Sequence, residues 1–342
     1  MTAGTAPLWI TEADVASLLD LGEAIAALEQ GLRLEARGEA RNMTKTHVAW
    51  QGGTLHAIGA SFESTGIVGT KTWANTPRGA TPLLVLFDAG TGALVAVIEA
   101  FALGQLRTSS ISGIATGRLA RRDARTFAII GTGEQALPQV AAVAAVRPLA
   151  SVRVFGRNPE RRAAFARRVE EGLGLSAVAQ GSVAEAVEGA DIVTLVTRAT
   201  EPFLRSAMLA RGAHVNAVGA ITPERAEFEP DILDRCNPIA VDSLPQVQRL
   251  SREFSAYFEA GGRDWSRVTL LSALVDRPQA RPEESDLTLF KAMGMGISDL
   301  ALGVHCYRKA MEGGLGRTVQ LPKRVEIRLK PQKCISGGVR HE

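Results

Sequence analysis

One stretch constrains the fold of this chain more than any other: Thr126-Phe127-Ala128-Ile129-Ile130-Gly131-Thr132-Gly133-Glu134-Gln135-Ala136. A short apolar run rich in isoleucine reads as a buried strand, and it ends in a G-x-G-x-x-A loop. The Ala/Val-rich segment Leu137–Val146 that follows reads as a helix, with Pro138 tolerated in its first turn. Strand, glycine loop and helix in this order make a dinucleotide-binding unit. Gly131 can take the tight turn, Gly133 has no Cβ to obstruct a pyrophosphate, and Ala136 is small enough to bring helix and sheet together. The helix N-terminus adds free N–H groups and the positive end of its dipole. Thr132, Glu134 and Gln135 complete the loop and join it as candidate cofactor contacts. Glu134 is the anomaly, because a carboxylate beside a pyrophosphate is unfavourable unless it points outward.

The segments after the loop repeat the alternation of strand and helix. Strand patterns at Ser151–Phe155, Ser176–Ala179, Asp191–Thr197, His214–Val218 and Ile239–Asp242 are separated by helical ones. Asn158 is suited to cap a helix that Pro159 opens, with Phe165 and Val169 facing the core, and Ser182 with Glu185 caps another. Such alternation implies a doubly wound parallel sheet, a Rossmann fold. The second strand ends in Phe155-Gly156-Arg157-Asn158, without the acid that usually meets the ribose hydroxyls. Arg157 is free to bond a 2′-phosphate, so NADP(H) is favoured over NAD(H). Beyond Ser243 the pattern is helical, and Leu287–Tyr307 is expected to be one helix whose Gly294, Gly296 and Gly303 allow close packing.

The part of the chain before the loop is of another kind. Thr11 with Asp14 and Asp20 with Glu23 predict two capped helices, the second carrying Leu21, Ile25, Leu28 and Leu32 on one face and stopping near Gly38. Short strands then follow at Thr44–Trp50, Thr54–Gly59, Ile67–Trp73, Leu83–Phe87 and Leu94–Glu99, with a hairpin turn at Asp88–Gly92. This reads as a mostly antiparallel sheet in an α+β unit. A helix over Phe101–Leu119, with Leu103, Leu106, Ser110, Ile114 and Leu119 roughly on one side, leads from it to the glycine-loop strand. The tail from Gly313 carries Pro322, Pro331 and seven basic residues and is expected to be solvated or loosely docked.

With 342 residues the chain has room for two domains. A net charge of +3 argues against a nucleic-acid partner. No apolar run reaches the roughly 18 residues of a membrane span. Met1–Leu8 lacks the basic and hydrophobic regions of a secretion signal. The three cysteines, Cys236, Cys306 and Cys334, form no paired motif, so neither a disulfide framework nor a metal site is expected. A cytoplasmic location follows as an expectation.

The chain resembles the ornithine cyclodeaminase/mu-crystallin family from about Val15 to Gly316. The likeness is carried by Val68-Gly69-Thr70-Lys71, the Leu86–Gly92 block, Leu106-Arg107-Thr108, the loop Gly131–Ala136, the run His214–Ala220, and Leu287-Thr288-Leu289-Phe290-Lys291. It implies a homodimer acting on a small imino or amino acid, with the N-terminal sheet binding substrate and pairing the subunits and the Rossmann domain holding the cofactor. The division that the resemblance implies is 1–118 plus 305–342 for substrate binding and dimerisation, and 119–304 for the cofactor. Carried over, Lys71 looks like the lysine that touches the substrate carboxylate near the reacting carbon. Arg107 looks like the arginine that clamps that carboxylate beside the cofactor. Fixed cations suit a small acid, and a desolvated lysine can exchange protons. Lys45 stands in place of an arginine on the same carboxylate, keeping the charge and losing the bidentate fork. Thr81, Thr197, Val218 and Gly219 lie where the family places further cofactor contacts.

Two departures shape the expected chemistry. Cyclodeaminases of the family carry an aspartate directly after Val-Gly-(Gly/Ala), whereas this chain has Ile221, which cannot ionise or bind an ammonium group. The mu-crystallin branch, whose members reduce cyclic ketimines, likewise lacks it. Ala292 replaces a serine that commonly meets the nicotinamide carboxamide. The resemblance therefore implies an NADPH-dependent reductase of a cyclic imino acid, turning Δ1-pyrroline-2-carboxylate or Δ1-piperideine-2-carboxylate into L-proline or L-pipecolate. Three alternatives stay open: an ornithine cyclodeaminase, an enzyme like alanine dehydrogenase, and a non-catalytic NADPH-binding protein of the crystallin kind.

Overall fold

The computed structural model describes residues 6–321, 323–327 and 329; Pro322, Pro331 and Cys334 lie outside them. One sheet has eight strands, all parallel, in the order Ala177–Ala179, Ser151–Phe155, Thr126–Ile130, Ile192–Leu195, His214–Ala217, Leu287–Lys291, Cys236–Val241 and Val268–Leu270. The chain leaves the glycine-loop strand in one direction, then crosses back to build outward in the other. The switch falls between Thr126–Ile130 and Ile192–Leu195, where a doubly wound sheet opens its ligand crevice at the carboxyl ends of the strands. The expected caps are present: Asn158 accepts a hydrogen bond from the Arg161 N–H at 2.8 Å, and Pro159 opens the helix Pro159–Leu173.

The sequence reading fails at 287–307. Leu287–Lys291 is a strand, buried at all five residues and inserted between His214–Ala217 and Cys236–Val241. Burial on both faces removes the alternation that marks a half-exposed strand, so Leu-Thr-Leu-Phe-Lys carries no clean period to separate strand from helix. Gly294, at φ +89°, turns the chain, and the helix is Gly296–Gly313. Its glycines do permit close approach. A Cβ on Gly296 would strike the Gly59 carbonyl, and one on Gly303 the side chain of Leu84. The strand Val268–Leu270 also lies in a segment expected to be helical.

The second sheet has nine strands, with the main path Arg317–Thr318, Leu8–Ile10, Leu94–Glu99, Leu83–Asp88, Ile67–Thr76, Gly53–Phe62 and Ala40–Asn42. Thr46–Trp50 pairs with Gly53–Phe62, and Gly79–Ala80 with Ile67–Thr76. Every pairing is antiparallel except that of Leu8–Ile10 with Leu94–Glu99. The start of the basic tail is thus docked, Thr318 lying opposite Leu8. Both predicted capping boxes form, opening Glu12–Leu18 and Leu21–Ala36.

The helix Phe101–Leu119 joins the two sheets and is buried at all eight positions from Ser109 to Thr116. Small residues make that possible: a Cβ on Gly113 would lie 3.1 Å from the Ala142 carbonyl. The Thr116 hydroxyl finds a partner in the parallel sheet, since Asn216 Nδ2 donates to it at 2.9 Å, and Asn216 Oδ1 pairs with His214 at 3.0 Å. Burial pushes the His214 imidazole down to about 3, so it stays neutral as part of this packing. Among the described residues no helix is long and apolar enough to cross a membrane.

Candidate cofactor and substrate site

The glycine loop leaves Thr126–Ile130 as the sequence requires. Gly131 has φ +121°, and a Cβ there would stand 2.5 Å from the Val196 carbonyl, so only glycine fits. Its N–H donates to the Phe155 carbonyl at 2.8 Å, fixing the turn against the next strand. At Gly133 no atom lies within 4 Å of a built Cβ, which leaves the backbone open to a pyrophosphate. Ala136 is buried and begins the helix. Glu134 is exposed, so its carboxylate has access to water rather than being shut in the loop. Gln135 Oε1 is buried and has no hydrogen-bond partner. Open backbone at Gly133 and a left-handed Gly131 fit a dinucleotide.

Neighbouring strands bring most of the other candidates to the same edge; Thr81 is the exception. Arg157, exposed beyond Phe155, makes no ion pair among the described residues. Arg162 is committed elsewhere, donating to the Gly156 carbonyl at 2.9 Å and lying 5.3 Å over the Phe155 ring. Asn158 spends its side chain as the helix cap. Thr197 follows Ile192–Leu195, but its hydroxyl donates to Glu227 at 2.8 Å. Val218 and Gly219 follow His214–Ala217, Val218 buried and Gly219 half-buried. Thr81 is exposed just before Leu83–Asp88, on the other sheet.

Beside the loops that follow Leu287–Lys291 and Cys236–Val241 is a cluster of charges drawn from four elements. Lys71 lies on Ile67–Thr76, Lys45 just before Thr46–Trp50, Arg107 in the second turn of Phe101–Leu119, and Asp299 in the first turn of Gly296–Gly313. Asp299 Oδ1 is 2.5 Å from Lys71 Nζ and 3.5 Å from Arg107 Nε, with the Lys71 and Asp299 side chains only 5% and 3% exposed. Burial pushes the Lys71 ammonium down to about 8; Asp299 opposes that shift, while Arg107 and Lys45 add to it. Burial and the nearby Arg107 also lower Lys45, which has no carboxylate at ion-pair distance among the described residues. A lysine titrating near neutrality can both carry charge and give up a proton.

Asp299 is the functional residue the sequence reading missed. No motif marks it, and its segment was read only for packing. Its signal was there: an acid among Ile297, Leu300, Ala301 and Leu302 must be paired if that helix is buried. Asp242 supports the cluster from below, accepting the N–H groups of Met293 at 2.9 Å and Gly294 at 2.7 Å. Gly294 in turn lies against Arg107, where a Cβ would stand 3.3 Å from Nη1. An aromatic shelf also went unforeseen. His56 stacks on Trp73 at 4.8 Å and on His47 at 5.6 Å, and Lys71 Nζ sits 5.2 Å over the Trp73 ring. Ile221 is half-buried directly after Ala220, and Ala292 is buried after Lys291.

The sequence model of the ornithine cyclodeaminase/mu-crystallin family matches residues 6–314. A Δ1-pyrroline-2-carboxylate reductase of Bacillus cereus is 32% identical over 240 residues, covering 70% of this chain and 74% of its own. The structure of the Thermococcus litoralis Δ1-pyrroline-2-carboxylate reductase, in complex with NADH and L-proline, superposes with a TM-score of 0.86 at 27% identity. It covers 91% of this chain and 100% of its own. An archaeal alanine dehydrogenase dimer with bound NAD gives the same TM-score and identity, covering 92% and 99%.

Proposed function

We propose that this chain, which belongs to the ornithine cyclodeaminase/mu-crystallin family, reduces a small cyclic imino acid with a nicotinamide cofactor. The substrate is Δ1-pyrroline-2-carboxylate or its six-membered homologue, and the product is L-proline or L-pipecolate. The observation that carries this reading is Lys71, a buried cation brought down to about 8 and held by Asp299 beside Arg107. The relatives named for this reaction add weight to it.

When bound, the nicotinamide supplies the hydride. The chain's own residues do the rest. Arg107, with Lys45 in support, holds the substrate carboxylate by charge-assisted bonds. Lys71, with a pKa brought near neutrality, would give a proton to the imine nitrogen, the N–H bond of the product forming as the C=N bond is reduced. Asp299 keeps Lys71 oriented and partly protonated near neutral pH. The walls of buried side chains limit water, and binding two partners in fixed relation supplies much of the rate. Ile221 supports reduction over deamination of an open-chain diamine, because no acid stands there to manage an amine.

Gly131, Thr132, Gly133, Gln135 and Ala136 would cradle the pyrophosphate. Arg157, exposed and without an ion pair among the described residues, beyond a strand that lacks an acid, supports NADPH over NADH. We assign the cofactor unit to 119–304 and the substrate unit to 1–118 with 305–342, with the helix Gly296–Gly313 crossing that boundary to pack on the substrate sheet, and we propose that the substrate unit pairs two copies into a homodimer. Buried free thiols at Cys236 and Cys306 suit a reducing compartment, and we place the protein in the cytoplasm. The test is oxidation of NADPH by either cyclic imine, run beside L-ornithine. Imine-dependent oxidation without ammonia release from ornithine is the expected result, and ammonia release with inert imines refutes it.

A further inference from the structure

Three adjacent strands of the parallel sheet end in loops tied together by side chains that none of the preceding chemistry uses. Glu227 is fully buried and accepts four hydrogen bonds. Its Oε1 takes the Thr197 N–H at 2.6 Å and the Thr197 hydroxyl at 2.8 Å. Its Oε2 takes the N–H groups of Gly219 at 2.9 Å and Ala220 at 3.0 Å. One carboxylate from a later segment thus joins the loop after Ile192–Leu195 to the loop after His214–Ala217. Gly219 makes the fit possible, since a Cβ there would strike both the Thr197 backbone and Glu227.

A second layer holds Glu227 in turn. Its own N–H donates to Glu253 Oε1 at 3.1 Å, and Glu253 Oε2 accepts from the Ser251 hydroxyl at 2.8 Å. Lys291, the last residue of the third strand, donates to the Ala220 carbonyl at 2.6 Å and lies 3.5 Å from Glu253 Oε1. Lys291 and Glu253 are 0% and 1% exposed. Burying such ions is expensive, and hydrophobic packing would often stabilise a core as well. What the ions provide here is direction: four donors fixed in place on the crevice edge, two on each side.

We infer that Glu227, backed by Glu253 and Lys291, is the positioning residue of the cofactor cleft. It holds Thr197 against Gly219–Ala220 so that the edge meets the cofactor already formed. This rests on the reading of that edge as the cofactor site. Fluorescence titration with NADPH tests it without relying on the substrate. Glu227→Gln keeps the shape but turns an amide NH2 toward backbone N–H donors. NADPH should then bind about 10- to 100-fold more weakly, while the KM for the imine at saturating NADPH stays within about threefold. An unchanged NADPH affinity overturns the inference. Should the variant fail to fold, hydrogen exchange on the cofactor-free wild type decides: protected amides at Gly219 and Ala220 support the brace, and rapid exchange there refutes it. Wild-type protein that binds no nicotinamide cofactor overturns the function itself, whereas normal binding left intact by Glu227→Gln overturns only the brace.

Discussion

Replacing Asp299 by asparagine should move the pH dependence of the reaction in a direction fixed by the structure. As the proposed proton donor, Lys71 would work below its own pKa, which burial brings to about 8. Burial lowers that value and Asp299, 2.5 Å away, raises it. An opposite charge at such range ordinarily shifts a pKa by about 1 to 3 units. Without it, the alkaline limb of kcat/KM should fall from about 8 to about 5 to 7. Taking a shift of about 2 units, protonated Lys71 drops from about nine-tenths to about one-tenth of the enzyme at pH 7, close to a tenfold loss. Most of that loss should return near pH 5, which a purely structural defect does not allow. The assay is NADPH oxidation at limiting imine between about pH 5 and 9, because kcat/KM reports the free enzyme. Wild type measured alongside removes the titration of the imine itself. A limb that stays in place, moves upward, or a loss equal at every pH refutes the role given to the pair.

Two further outcomes follow from single residues. Arg157→Ala should raise the KM for NADPH by about 10- to 100-fold, the worth of a charge-assisted phosphate contact, and leave NADH unaffected; equal effects on the two cofactors in parallel titrations remove the argument for NADPH. Gly296→Ala must displace the Gly59 carbonyl, so it should cost about 3 kcal/mol in denaturant unfolding, whereas a loss below about 0.5 kcal/mol means that the two backbones are not held in contact.

What the sequence discloses is what is encoded within a few residues. Thr11 with Asp14, Asp20 with Glu23, and Asn158 with Pro159 satisfy helix ends from neighbours, and all three sit where the local pattern puts them. The loop Gly131–Ala136 is legible for the same reason, since a left-handed turn and an unobstructed backbone need glycine at set positions. Leu287–Lys291 was misread because a strand buried on both faces shows no alternation. Leu8–Ile10 escaped notice because three residues are too short for a pattern and their partners include Arg317–Thr318, from the far end of the chain. Asp299 lies 228 residues from Lys71, and their pairing exists only once the helix Gly296–Gly313 packs on the sheet that carries the lysine. The glycine loop announced a cofactor, but the buried side chains of Asp299 and Glu227 are defined by distant partners.

The most direct measurement is the oxidation of NADPH, and of NADH beside it, by purified protein given Δ1-pyrroline-2-carboxylate or Δ1-piperideine-2-carboxylate, with the product identified by chirality. Imine-dependent oxidation that yields L-proline or L-pipecolate, runs faster with NADPH, and is abolished by Lys71→Ala and Arg107→Ala is the expected result. Protein that binds NADPH yet leaves it unoxidised with both imines contradicts the proposed function.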